Sequence, residues 1–211
     1  MNENPRDVLV AGLGELGLSL DAPRLEQLLE LCALVREWNE KFNLTAITEP
    51  VAMVRKHLLD SLTVQPWIEG PFVIDVGSGA GFPGLPLAIA NPALRFTLLD
   101  STAKKVGFLE HAARTLGLAQ VTATCARAES FQPAQRAQTV VSRALGSVAE
   151  FVRVAGHLCA RSGRLLAMKG KDPAAELGAL PRGWQVAGVE RLKVPGLDDA
   201  RHLVILRPEP G

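Results

Sequence analysis

Residues 72–87 read F-V-I-D-V-G-S-G-A-G-F-P-G-L-P-L. Apolar and β-branched residues surround one carboxylate, Asp75, and glycines follow at Gly77, Gly79, Gly81 and Gly84. An apolar segment, Leu85 to Ala90, then ends at Asn91-Pro92. A buried strand, a tight glycine turn and a helix folded back on the sheet account for this order. Glycine lets the chain turn sharply and lets a ligand approach the main chain. Pro83 suits a first helical turn, where its missing N–H costs nothing. Four glycines within eight residues exceed what a bare turn needs, so the loop is expected to hold a ligand.

Gly79 to Gly84 satisfies G-x-G-x-x-G, the pattern of dinucleotide-binding turns. Two points oppose that reading. Asp75 is expected at the loop mouth, where its charge would repel a pyrophosphate. Pro83 removes an amide near the helix start, where N–H groups would hold a phosphate. A carboxylate beside a glycine turn suits a ligand with an ammonium or sulfonium charge. S-adenosylmethionine carries both.

The chain has 211 residues, enough for one full core or one core with a small appendage. Hydrophobic content is 47%, ordinary for a globular protein. No apolar run reaches the roughly 20 residues that span a bilayer. The start, M-N-E-N-P-R-D, lacks the basic-then-apolar order of a signal peptide. Cys32, Cys125 and Cys159 are odd in number and widely spaced, which fits free thiols rather than disulfides or zinc. A cytoplasmic monomer without metal is expected. Net charge is +1, so any nucleic-acid surface must be local.

Residues 1–68 read as a helical extension and 69–211 as the ligand-binding domain. From Asp21, a plausible N-cap with Pro23 just inside, Leu25, Leu28, Leu29, Cys32, Val35, Trp38 and Phe42 recur at helical spacing. Asn39 to Thr48 breaks the period and reads as a loop. A further helix is expected over Pro50 to Val64. It carries His57 and Asp60 three apart on one face, read first as a local hydrogen-bonded pair and second as part of an active site.

After the glycine turn, strands and helices alternate. Strands are expected at Leu94–Leu99, Val121–Cys125, Thr139–Val141 and Arg164–Met168. Helices are expected at Ala103–Leu116, Val148–Ala160 and Pro173–Leu180. Two closing strands, Gln185–Lys193 and His202–Leu206, suggest an antiparallel edge. The class is α/β: a Rossmann-like, mostly parallel sheet with helices on both faces.

Ligands of such sheets bind at the carboxyl ends of the strands. Those ends hold Asp75 with its glycines, Asp100, Ala128-Glu129, Ser142-Arg143 and Lys169-Gly170. Asp100, 25 residues after Asp75, suits a ribose diol, with capping of the next helix as a competing role. Glu129 could lie beside an adenine or simply face solvent. Arg143 interrupts the apolar run V-V-S-R-A-L, where an arginine is usually paired or functional. Lys169 ends the strand L-L-A-M-K. It joins Arg143 as a candidate catalytic residue.

The run D-V-G-S-G-A-G-F-P-G-L-P-L-A-I resembles the signature of the RsmG (GidB) family of bacterial small-subunit ribosomal RNA methyltransferases. The resemblance extends through N-L-T-A-I (43–47), H-L-L-D-S-L (57–62), L-L-D-S-T-A-K-K-V-G-F-L (98–109), R-A-E (127–129), V-V-S-R-A (140–144) and M-K-G (168–170). It departs at Gln138-Thr139, where the family tends to have an acid. The resemblance implies a class I methyltransferase that uses S-adenosylmethionine to methylate N7 of a guanine in the 530-loop region of 16S rRNA. By matching motif it places cofactor contacts at Gly77, Phe82, Ala128, Glu129 and Arg143. Guanine N7 has a free lone pair, so it needs alignment rather than a general base. No N-P-P-Y/F element or Pro-Cys loop supports amine or pyrimidine-carbon chemistry. Arg55, Lys56, Lys104, Lys105, Lys169 and Lys171 are candidate RNA contacts if folding brings them to one rim. A Rossmann oxidoreductase and a non-catalytic RNA-binding module are the alternatives.

Overall fold

The computed structural model describes residues 3–143 and 145–210; Ala144, the last residue of V-V-S-R-A, lies outside them. Seven strands form one sheet: β1 (Phe72–Val76), β2 (Arg95–Asp100), β3 (Val121–Cys125), β4 (Ala137–Arg143), β5 (Cys159–Lys169), β6 (Trp184–Leu192) and β7 (Arg201–Pro208). Their order is β3-β2-β1-β4-β5-β7-β6. β1 lies between β2 and β4 and pairs parallel with both. β7 runs antiparallel to β5 and β6. The closing pair is antiparallel as expected, but its reversed member sits one place in from the edge, which β6 forms.

The five residues of β1 are all buried, as a strand covered on both faces requires. Alternate residues serve opposite faces. Val73 packs with Leu98, Val141 and Leu166, and Ile74 and Val76 pack with Leu99, Val140 and Leu165. The first face is covered by α1 (Pro5–Glu15), α2 (Ala22–Phe42), the helical segment of residues 50–62, α5 (Gly84–Ala90) and α6 (Ala103–Thr115). The second is covered by α7 (Val148–Ala155). Leu28, Leu31 and Val35 of α2 are fully buried within the sheet's own cluster. Each contributes about 1.5–3 kcal/mol by leaving water. The N-terminal helices therefore share a core with the sheet.

Asp21 caps α2 by accepting from the Arg24 amide. The helix runs to Phe42, four residues into the stretch read as a loop. Trp38 and Phe42 pack one turn apart at 5.3 Å, and Asn43 ends it in the left-handed conformation (φ 49°). Residues 50–62 are helical in three pieces: α3 (Pro50–Met53), a π turn (Val54–Leu59) and α4 (Asp60–Leu62). The sequence gives no sign of the π turn, a feature frequent at functional sites. α7 stops at Ala155, short of the expected Ala160, because Cys159 already pairs with Ala137 in the sheet.

Candidate active site

β1 ends at Val76, and the amides of Gly77 and Ser78 both donate to Leu99 O, at 2.8 and 3.1 Å. Gly77 holds φ +72°, a region where a side chain is strained. Gly84, at the start of α5, needs to be small for a different reason. A Cβ there would lie 2.6 Å from Asp75 Oδ2.

That contact corrects the reading of Asp75. The residue is 0% exposed and lies beneath the loop, not at its mouth. Its Oδ2 accepts from the Gly84 amide at 3.0 Å, and its Oδ1 is buried without a hydrogen-bond partner. Because the charge points inward, the argument that it repels a pyrophosphate falls away. Burial pushes the Asp75 carboxyl up to about 7, against the opposing hydrogen bonds from Ser78 and Gly84. In an unfolded chain the value is about 3.9. The folded state thus binds the proton more tightly. Its contribution to stability is complete below about pH 4 and is lost as pH rises through about 7. The wild-type unfolding free energy from urea titrations is expected to fall from pH 5 to 7.5 more steeply than that of Asp75→Asn, the excess slope reaching at most about 1.4 kcal/mol per pH unit. Equal slopes in the two proteins would show that Asp75 is not the titrating group.

Beside the loop opens a cavity of about 320 Å³. Gly77, Asp100, Ala128 and Glu129 line it, all expected from sequence. Leu145 and Glu150 line it too and were not expected, and so does Lys105, read from the sequence as a candidate RNA contact. Asp100 is a brace as well as a wall. Its Oδ2 accepts from the Gly79 amide at 3.0 Å, its Oδ1 accepts from the Thr102 amide at 2.9 Å, and Lys105 Nζ lies 4.0 Å away. It therefore serves the start of α6 and the glycine loop while facing the cavity. Gly79 meets Asp100 through its amide, and Gly81 is buried, packing toward Leu85 and Leu109. Neither lines the cavity.

A second cavity, of about 430 Å³, lies at the ends of β4, β5 and β7. Arg143 and Lys169 line it with Lys56, His57, Asp60 and Arg201. Arg143 Nη1 donates to Lys56 O at 3.1 Å and to Asp60 Oδ2 at 3.2 Å, and Nη2 lies 3.5 Å from His57 Nδ1. The guanidinium also sits over the Phe82 ring at 5.4 Å, and His57 stacks on that ring at 4.5 Å. Arginine only donates, so His57 Nδ1 accepts and Nε2–H donates to Thr45 Oγ1, 2.9 Å away. Burial, with the Arg143 charge, brings the imidazole down to about 4, and it stays neutral at physiological pH. His57 and Asp60 are thus not the local pair read first; each turns to Arg143. The five residues come from four separate segments: Thr45, His57 with Asp60, Phe82 and Arg143.

Lys169 reaches this cavity with its ammonium already committed, to Gly146 O at 2.8 Å and Glu176 Oε2 at 2.9 Å. Glu176 Oε2 also accepts from the Val148 amide that opens α7. The basic residues do not share one rim. Lys56 and Lys169 line the second cavity, Lys105 lines the first, Lys104 sits over the Phe42 ring, and Arg55 pairs with Glu3 near α1.

A sheet of this order with a reversed penultimate strand, and a glycine turn after β1 opening on a cavity at the strand ends, define the class I methyltransferase fold. The chain superimposes on a SAM-dependent methyltransferase from Aquifex aeolicus with a TM-score of 0.58, at 18% identity over 83% of this chain and 97% of that one. It superimposes on TrmN from Thermus thermophilus with a TM-score of 0.55, at 19% identity over 82% and 53%.

Sequence comparison is more specific. The family profile of rRNA small subunit methyltransferase G (GidB) matches residues 24–204. Ribosomal RNA small subunit methyltransferase G of Nitrosococcus oceani is 44% identical over 208 residues, covering 99% of this chain and 97% of its own. The protein of the same name from Methylococcus capsulatus is 47% identical over 201 residues, covering 95% and 98%. The chain belongs to the rRNA small subunit methyltransferase G (GidB) family, as its motifs led one to expect, and the oxidoreductase alternative falls.

Proposed function

We propose that the protein transfers a methyl group from S-adenosylmethionine to N7 of a guanine in the 530-loop region of 16S ribosomal RNA. The reaction would take place in the cytoplasm. The residues around the first cavity fit the cofactor. Asp100 and Glu129 offer carboxylates to a ribose diol, Gly77 leaves the main chain open, and the partnerless Asp75 Oδ1 lies under the loop. When bound there, S-adenosylmethionine supplies an electrophilic sulfonium methyl group. Gly77, Asp100, Ala128 and Glu129 would hold the nucleoside end, and Phe82, with the Arg143 guanidinium over its ring, would flank the cofactor. Gly79 and Asp75 act through the loop, Gly81 through its packing.

What supports N7 is membership of the rRNA small subunit methyltransferase G family, matched over residues 24–204, and the groups in and beside the second cavity are compatible with it. His57 has both nitrogens engaged, Asp60 is held by arginines, and Glu176 is held by Lys169. Among the described lining residues, His202, whose Nδ1 is buried without a hydrogen-bond partner, remains as the candidate base. A ring nitrogen with its own lone pair requires no base, whereas an exocyclic amine must shed a proton. The chain's task is then to align donor and acceptor and to exclude water. Arg143 positions the reacting groups, and Lys169 braces the turn before α7.

The test combines binding and product mapping. Cofactor at about 100 times its Kd should stabilise the protein by about 2.7 kcal/mol, read as a raised Tm. Small subunits from cells lacking the protein, incubated with labelled cofactor, should carry the label as 7-methylguanine, mapped by mass spectrometry and borohydride–aniline cleavage. Label on an exocyclic amine or a pyrimidine carbon would refute the assignment.

A further inference from the structure

Two guanidinium groups share one buried carboxylate. Asp60, 3% exposed, accepts from Arg143 Nη1 through Oδ2 at 3.2 Å and from Arg201 Nε through Oδ1 at 3.1 Å. The arginine side chains are 24% and 22% exposed. Arg201 Nη1 also donates to Ala200 O, and its Nη2 lies 3.8 Å from Asp199, a carboxylate 60% exposed. Lys56 lines the same cavity. Lys169 does too, but Glu176 neutralises it. The cations around this sheltered space outnumber its one buried anion. Like charges held close in a partly dry site repel unless a further anion joins them.

We infer that the cavity is a phosphate site. Arg201, with Lys56, takes a backbone phosphate of the RNA next to the target guanine, and Asp60 is the positioning residue that sets Arg201 beside Arg143. The inference rests on the proposed reaction and adds a point of grip to it. The guanidinium fork matches phosphate oxygens. The chemistry also excludes the commonest other use of arginine on guanine. A bidentate contact to O6 and N7 would cover the atom that must react. The clamp therefore holds the backbone and leaves N7 bare.

The experiment measures binding of small-subunit RNA, prepared from cells lacking the protein, across a salt series, alongside cofactor Kd by calorimetry. Arg201→Gln is expected to bind RNA about 10-fold more weakly with a salt slope shallower by about 1, and to bind cofactor as the wild type does. Arg201→Lys should keep the slope and recover part of the affinity. Asp60→Asn should also weaken RNA binding, although it makes the cavity more positive; tighter binding would show a plain electrostatic surface and overturn the positioning role. Unchanged RNA affinity and slope in a folded Arg201→Gln would overturn the site itself. A parallel loss of cofactor affinity would overturn it by assigning the anion to the cofactor's carboxylate. If the wild type methylates no RNA, the parent reaction fails; if it does and Arg201→Gln binds normally, only this site fails.

Discussion

Arg143→Ala is expected to lower kcat/KM on the order of 100-fold. The side chain binds the Lys56 carbonyl, Asp60 and His57 at once and covers the Phe82 ring. Truncation leaves His57 Nδ1 without its donor and uncovers the Phe82 ring. Asp60 keeps Arg201, so folding should suffer less than catalysis. Arg143→Lys restores the charge without the fork and should recover only a small part of the rate. The kinetic split assigns the role. A raised KM for S-adenosylmethionine places Arg143 with the cofactor, and a raised KM for RNA with intact cofactor affinity places it with the substrate. Wild-type activity in Arg143→Ala would remove it from the site.

Asp100→Ala is expected to weaken cofactor binding by about 1.5–3 kcal/mol, roughly 10- to 150-fold in Kd. The structure adds a second effect. Two backbone amides, Gly79 and Thr102, donate to this carboxylate. Removing it leaves both unsatisfied, so Tm should fall as well. Asp100→Asn separates the effects. Its one carbonyl oxygen can serve one amide, and its NH2 faces the other. Stability should recover in part while affinity for the ribose diol stays low. Full cofactor affinity in Asp100→Ala, with a lowered Tm, would leave Asp100 only its bracing role.

What the chain discloses before folding is local. Strand β1 and the turn after it are legible because close approach of backbone to backbone demands glycine, as at Gly84 over Asp75. Asp100, Ala128 and Glu129 are legible because strand ends in a parallel sheet share one edge. The second cavity is not legible. Asp60 meets Arg143 across 83 residues and Arg201 across 141, and no spacing rule reaches so far. Arg201 stands one residue before the strand expected at His202–Leu206 and opens the observed one, so nothing in the sequence singled it out. Asp75 was misplaced for the same kind of reason. A strand-end carboxylate looks exposed until α5 is seen to close over it.

The position of β7 has a consequence for the growing chain. Residues 201–208 enter between two strands made earlier. Until they have been translated, β5 keeps one edge open and β6 has nothing to pair with, and open edges invite association. Asp60 meanwhile waits for Arg201. A nascent chain that has not reached this strand can assemble its glycine loop and α2, but not the second cavity. Fragments that stop short of β7 are therefore targets for chaperones and proteases.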